Sequence, residues 1–233
     1  MKQSNLHRER GGTIRHGIGS VFRKFREEKI IVADKYASFA LLAQSEGKDA
    51  FSIRSRDKAT ALVVAAPHGG RIEPGTSEIA LSIARDDLSY YLFEGNKGSN
   101  NADLHITSTC YDEPQCIKLL KSAATVMTIH GEASTSQTVF LGGRDKDTQH
   151  RLRQCLKKAG FDVRVHDNPE LQGLNPTNIC NIGHSGAGVQ LELSRGLRET
   201  FFDALTKEGR ERPSERLTVF ANAVREAIGG PFL

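Results

Sequence analysis

ALVVAAPHGGRIE, residues 61–73, decides the reading of this chain, because an apolar β-like run passes directly into a loop carrying a histidine and a glutamate. Leu62 to Ala66 are five consecutive apolar residues, the pattern of a parallel strand buried on both faces, and Pro67 is expected to end the ladder where His68 begins. Gly69 and Gly70 let the backbone turn back sharply, so that the His68 imidazole and the Glu73 carboxylate, five positions apart, aim at one point. Such a turn has the makings of a metal nest.

A single histidine after a strand is more often a hydrogen-bonded loop residue than a ligand, so recurrence matters. Residues 123–130, AATVMTIH, are a second strand-like run ending in histidine, followed by Gly131 and Glu132. Residues 188–195, GVQLELSR, form a third, in which Val189, Leu191 and Leu193 alternate with Gln190, Glu192 and Ser194. Strands ending at His68 and Glu73, at His130 and at Glu192 would gather polar groups at the carboxyl edge of a parallel sheet, where open α/β folds hold their chemistry.

Four ordered blocks carry a family resemblance: HGGRIE at 68–73, LHITS at 104–108 with YDEP at 111–114, IHG at 129–131, and GVQLELSR at 188–195. Together they resemble the phage and bacterial poly-γ-glutamate hydrolase family, over roughly Asp34 to Ile228. The resemblance implies a fold similar to that of zinc carboxypeptidases. That fold is a three-layer α/β/α sandwich with a mixed, mostly parallel central sheet. It also implies one catalytic Zn2+ and an anionic poly-γ-glutamate or γ-glutamyl substrate.

A hydrolytic zinc needs three protein ligands and one open position, so that water can ionise near neutral pH and attack a carbonyl. His68, Glu73 and His130 fill that role, two from a short loop motif and one from a distant strand. Glu132 is an alternative oxygen ligand, ranked below Glu73 because it lies two residues past His130 and outside the family's ligand pattern. Glu192, on the polar face of its strand, fits a general base that takes a proton from the attacking water and passes it to the leaving nitrogen. A strand-edge carboxylate paired with Arg195 or Arg198 is the plainer alternative.

A γ-linked glutamyl polymer presents a free α-carboxylate on every residue, and arginine's planar fork binds carboxylates in bidentate geometry. Arg71, between two proposed ligands, Arg195 and Arg198, just past the proposed base, and Arg144, in the FLGGRD turn, are therefore expected substrate contacts. His105 lies within LHITS, read as a strand whose pleat turns it away from Leu104 and Ile106. It reads as a substrate contact or a group orienting a ligand, with a satisfied core histidine as the alternative, and stands outside the metal set.

Composition bounds the class. At 233 residues the chain is long enough for one sizeable core, with 38% hydrophobic and 26% charged residues, as in ordinary soluble globular domains. No run approaches the ~18 apolar residues of a membrane span, and no membrane partner is expected. Cys110, Cys116, Cys155 and Cys180 lack CxxC spacing, which points to free thiols in a reducing compartment.

Residues 1–30 hold eight Lys/Arg against three Glu, a surplus of five where the whole chain carries +4, so the remainder is near neutral at −1. This stretch reads as a basic, flexible leader before a single α/β hydrolase domain over 31–233. It lacks the apolar core of a secretory signal, which gives a cytoplasmic expectation with release by lysis. Oligomeric state is not legible.

Helices are expected over 36–43, 76–86 with Thr76 as N-cap, 114–121 from Pro114, 148–159, and, within Arg212 to Ile228, after Pro213 with Ser214 as cap. Further strands are expected at 90–94 and 161–165. The GNKGSNN stretch reads as a loop, and 167–188, rich in Asn, Gly and Pro, as a cover over the site mouth.

Two rival functions compete with this reading. GHSGAG, 183–188, mimics a nucleophile elbow around Ser185, but a strand follows it instead of a helix and His184 is the last histidine of the chain. It reads better as a loop passing close to substrate. A non-enzymatic nucleic-acid-binding accessory protein using the basic arm is the second rival, disfavoured because no recognised nucleic-acid motif accompanies the charge.

Overall fold

Alternating apolar runs and polar, glycine-rich connections produce a seven-stranded mixed sheet in the computed structural model of the protein, which describes residues 34–229. The strands are β1 (Phe51–Arg56), β2 (Leu62–Gly70), β3 (Ser89–Gly95), β4 (Thr125–Glu132), β5 (Thr138–Gly143), β6 (Asp162–Arg164) and β7 (Val189–Ser194). Their order is β1-β3-β2-β4-β7-β5-β6, with β3, β2, β4 and β7 parallel, β1 and β5 antiparallel to their inner neighbours, and β6 parallel to β5. The basic leader expected over residues 1–30 lies outside the described residues.

Strand alternation divides the interior into two cores. Leu62, Val64 and Ala66 of β2 join α2 (Thr76–Ala84), α4 (Lys146–Lys158) and α7 (Glu215–Ile228) on one face of the sheet. Val63 and Ala65 face α1 (Phe39–Ser45) and α3 (Pro114–Ser122) on the other. The three layers expected from the sequence are thus present. Short helices α5 (Arg195–Glu199) and α6 (Lys207–Arg210) follow β7. No helix among the described residues is long and apolar enough to cross a membrane.

Helix starts follow local chemistry. Pro114 opens α3, and the Glu113 carboxylate accepts from the Gln115 and Cys116 amides. Asp145 caps α4 through the Thr148 amide. Thr76, expected as an N-cap, is instead the first residue of α2. Gly75 holds the cap position at φ +100°, and the Thr76 hydroxyl donates to the Glu73 carbonyl. Ser214 precedes α7 as expected, but its hydroxyl donates to the Thr200 carbonyl instead of capping the helix.

Two further expectations are corrected, and one strand is added. Pro67 does not end β2: pairing with β4 stops at Ala65, and pairing with β3 resumes at Gly69 after a bulge that opposes one extra β2 residue to β3. LHITS is not a strand; residues 101–104 form a 3₁₀ turn and 105–113 are irregular, held by distant contacts such as the Thr107 amide on the Asp34 carboxylate. β1 adds a strand to those expected, with Phe51 and Ile53 alternating with polar neighbours and packing on the α1/α3 core.

Candidate metal centre

The topology leaves a crevice at the carboxyl ends of β2 and β4. From β2 the chain passes through α2 to β3 on one side, then through α3, on the opposite face, to β4 on the other. Such a reversal of strand order is where open α/β sheets bind ligands. The β2 bulge matters here, because one extra residue shifts the alternation and puts His68 on the same face as Ala65 and His130.

His68 is buried, and its Nε2 donates to the Ile106 carbonyl at 2.9 Å. A carbonyl only accepts, so the proton sits on Nε2 and the Nδ1 lone pair faces inward. That Nδ1 lies 3.3 Å from Glu73 Oε1 and 3.2 Å from His130 Nδ1, and His130 Nδ1 lies 3.9 Å from Glu73 Oε2. Zinc bonds of about 2.0–2.1 Å in a tetrahedron set neighbouring ligand atoms about 3.3 Å apart. The two imidazole nitrogens and the Glu73 carboxylate, gathered at 3.2 to 3.9 Å, are close to that spacing and repel one another unless a cation or a proton sits among them, so the donor set fits zinc.

The supporting contacts are close. Glu73 Oε2 also accepts from the Gly131 amide at 2.8 Å, and a Cβ at Gly131 would come within 2.9 Å of Glu73 Cβ, so glycine there admits the carboxylate. The His130 Nε2 approaches Ser108 Oγ at 3.5 Å. Burial opposes charge on all three groups. Even so, the His68 contact holds Glu73 down and Glu73 raises His68, while burial takes His130 down to about 3.

Glu192 is the register partner of His130 across the parallel β4/β7 pair, so both side chains stand on the same face of the sheet. Burial, then the like charges of Glu73 and Glu132, push its carboxyl well above the usual carboxylate range, against Arg198 and a Gln190 N–H donated at 3.0 Å. His105 stacks on His68 with ring centroids 4.0 Å apart, and its Nδ1 bonds Asp34 Oδ1 at 2.7 Å. It therefore stands beside the cluster, on an irregular segment. Glu132, the alternative ligand, is bonded by the amide and hydroxyl of Ser134 and stays outside the cluster.

The arginines divide. Arg195 is exposed and lines a cleft of about 780 Å³ together with Glu73, Gly131 and Leu205. Arg198 lines the same cleft but is buried as a brace. Its Nε donates to the Leu193 carbonyl, Nη1 to Pro74 and Nη2 to Glu132, which ties together the ends of β7, β4 and the Glu73 loop. Arg71 does not join the cluster: it donates to the Lys97 carbonyl and lines a separate cleft with Arg54, Glu94 and Lys207. Arg144 is further off. Because β5 runs antiparallel to β7, pairing Phe140 with Glu192 and Gly143 with Val189, Arg144 lies at the opposite sheet edge and bonds the Gly186 carbonyl.

The same edge holds residues 183–188. His184 and Ser185 donate their amides to Ala123 and Ala124 ahead of β4, and Ser185 Oγ bonds the Ala187 carbonyl, so the segment is no nucleophile elbow and lies at the sheet edge opposite His68, Glu73 and His130. Sequence reading missed Asp34, Ser108, Ile106 and Gln190. Only Gln190 carried a signal, its two-residue spacing from Glu192 on one strand face.

Comparison with known proteins identifies the family and the fold. The sequence model of the family described as poly-gamma-glutamate hydrolase matches residues 36–224. The chain is 36% identical over 194 residues to the SPbeta prophage-derived protein YoqZ of Bacillus subtilis (strain 168), covering 83% of this chain and 70% of YoqZ. It is 38% identical over 172 residues to YmaC of the same organism, covering 73% of each. Two solved structures superpose with TM-scores of 0.81. A bacteriophage poly-gamma-glutamate hydrolase shares 29% identity over 84% of this chain and 97% of its own. YndL, solved in a zinc-free apo form, shares 33% over 86% and 100%.

Proposed function

The chain belongs to the poly-γ-glutamate hydrolase family, and from that premise we propose that it cleaves γ-glutamyl amide bonds of poly-γ-glutamate with one zinc held by His68, Glu73 and His130. The observation that carries the reading is the convergence of His68 Nδ1, Glu73 and His130 Nδ1 within 4.8 Å of one another at a sheet switch point. The zinc-free form in which YndL was solved supports zinc as the ion.

Bound zinc supplies Lewis-acid polarisation of the amide carbonyl and the ionisation of water near neutral pH. The chain's own residues do the rest. The Ile106 carbonyl fixes the His68 tautomer, and the Gly131 amide holds the Glu73 carboxylate. Glu192, on the face of His130, receives the proton of the attacking water on its carboxylate and returns it to the leaving nitrogen. Arg195, exposed in the adjoining cleft, pairs with an α-carboxylate of the polymer, and its present partner Glu199 is a surface contact easily exchanged. Arg198 keeps that cleft in shape. His105, stacked on His68 and anchored by Asp34, contacts substrate from the other side.

Metal analysis tests the ligand set. The wild-type protein should hold one zinc per chain, and His68→Ala or His130→Ala should lose most of it, since each removes one of three protein ligands. Full zinc occupancy in both variants would overturn the assignment.

A further inference from the structure

We propose that Gln190 is a positioning residue for Glu192, set in its working orientation by the irregular segment between β6 and β7. The inference rests on Glu192 acting as the base. An amide side chain can ordinarily be turned over without visible consequence, but here two backbone groups leave no choice. The Cys180 amide can only donate, and it donates to Asn178 Oδ1 at 3.0 Å. Asn178 Nδ2 is therefore the donor to Gln190 Oε1, at 3.0 Å. That leaves Gln190 Nε2 to give its two hydrogens to the Leu171 carbonyl at 3.1 Å, an obligate acceptor, and to Glu192 Oε1 at 3.0 Å.

Every polar atom of the Gln190 amide is thus committed, and the row Asn178, Gln190, Glu192 is buried throughout. Gly173 completes the fit. It sits at φ +61°, and a Cβ there would come within 2.9 Å of Gln190 Oε1. Within the segment over 167–188, expected to cover the site mouth, Asn178, Leu171 and Gly173 together hold one amide with its N–H toward the carboxylate. A donor in that place favours the ionised Glu192 and restricts it to one rotamer. Gln190 and Glu192 are two residues apart on β7, so the strand's period supplies the juxtaposition.

The test is a double-mutant cycle on the full chain, reading turnover of poly-γ-glutamate, KM and zinc content. Gln190→Met keeps length but removes the donor. It should lower kcat by about 10- to 10²-fold, the usual cost of losing a partner that orients a site group, with KM and zinc content retained. In the Glu192→Gln background the same substitution should cost nothing further, because a residue acting through Glu192 has nothing left to position. Asn178→Asp is an isosteric second route. It cannot donate to Gln190, so the amide meets acceptors on both sides whichever way it turns and its hold on Glu192 is lost, with a similar loss in kcat. A folded, zinc-loaded Gln190→Met or Asn178→Asp protein at wild-type turnover overturns the positioning role. So does a Gln190→Met loss that multiplies with that of Glu192→Gln, which is the behaviour of a purely structural residue. If Glu192→Gln itself keeps wild-type turnover, the assignment of the base fails first and the positioning role falls with it.

Discussion

Buried beside Glu73 and Glu132 on the polar face of β7, Glu192 keeps a carboxyl that burial and those two charges hold well above the usual range. With its folded pKa above the unfolded value of about 4.3, the native state binds the proton more tightly. The stability this contributes is complete below that unfolded value and is lost as pH rises toward the folded pKa. In chelator-treated protein, Glu192→Gln should therefore raise Tm at pH 8 and change it little at pH 4. Each ~1 kcal/mol gained appears as about 2–4 °C in a chain of this size. Turnover of the zinc-loaded variant should fall by about 10² to 10⁴, the range of general-base catalysis. Thermal melts at the two pH values, with equal Tm for both proteins at pH 8, would show that the carboxylate is not held at such a cost.

Elements decide which side chains meet, and Arg198 on α5 joins three of them. Its guanidinium spans the carbonyls of Leu193, Pro74 and Glu132, so the ends of β7, β4 and the Glu73 loop hang on one planar fork. Arg198→Lys keeps the charge but can reach only part of that set. It should cost about 2–4 kcal/mol in denaturant unfolding, given roughly 1.5–3 kcal/mol per charged hydrogen bond, and it should loosen zinc retention because Pro74 adjoins Glu73. An unchanged unfolding midpoint would mean that the brace is idle.

Arg198 also shows where sequence stops being informative. His68, Glu73, His130 and Glu192 are legible because each sits in or just past an apolar run; the strand period fixes the face of His130 and Glu192, whereas the face of His68 is set by the bulge, which the alternation alone does not reveal. An arginine's direction is set by acceptors far along the chain: Pro74 and Glu132 lie 124 and 66 positions from Arg198. The same holds for Arg71, drawn to Lys97, and for Arg144, carried to the far edge by the antiparallel run of β5. LHITS misled for a related reason. Its alternation is real, but Asp34 and the 3₁₀ turn hold the backbone that a neighbouring strand would otherwise have paired.

At the scale of the molecule, two crossovers on opposite faces of one sheet place β2 beside β4, and the bulge at Pro67 levels His68 with His130. Every proposed ligand, the proposed base and its positioning amide lie between residues 34 and 229. Deletion of residues 1–30 should accordingly leave hydrolysis largely intact, and a truncated protein that folds but does not cleave would put that segment in the site. The most direct measurement incubates the purified full chain with poly-γ-glutamate and follows polymer length, with chelator, without it, and with zinc restored. A zinc-dependent hydrolase should shorten the polymer, stop when the metal is chelated, and recover with stoichiometric zinc. Undiminished cleavage by protein shown to be free of metal would contradict that mechanism.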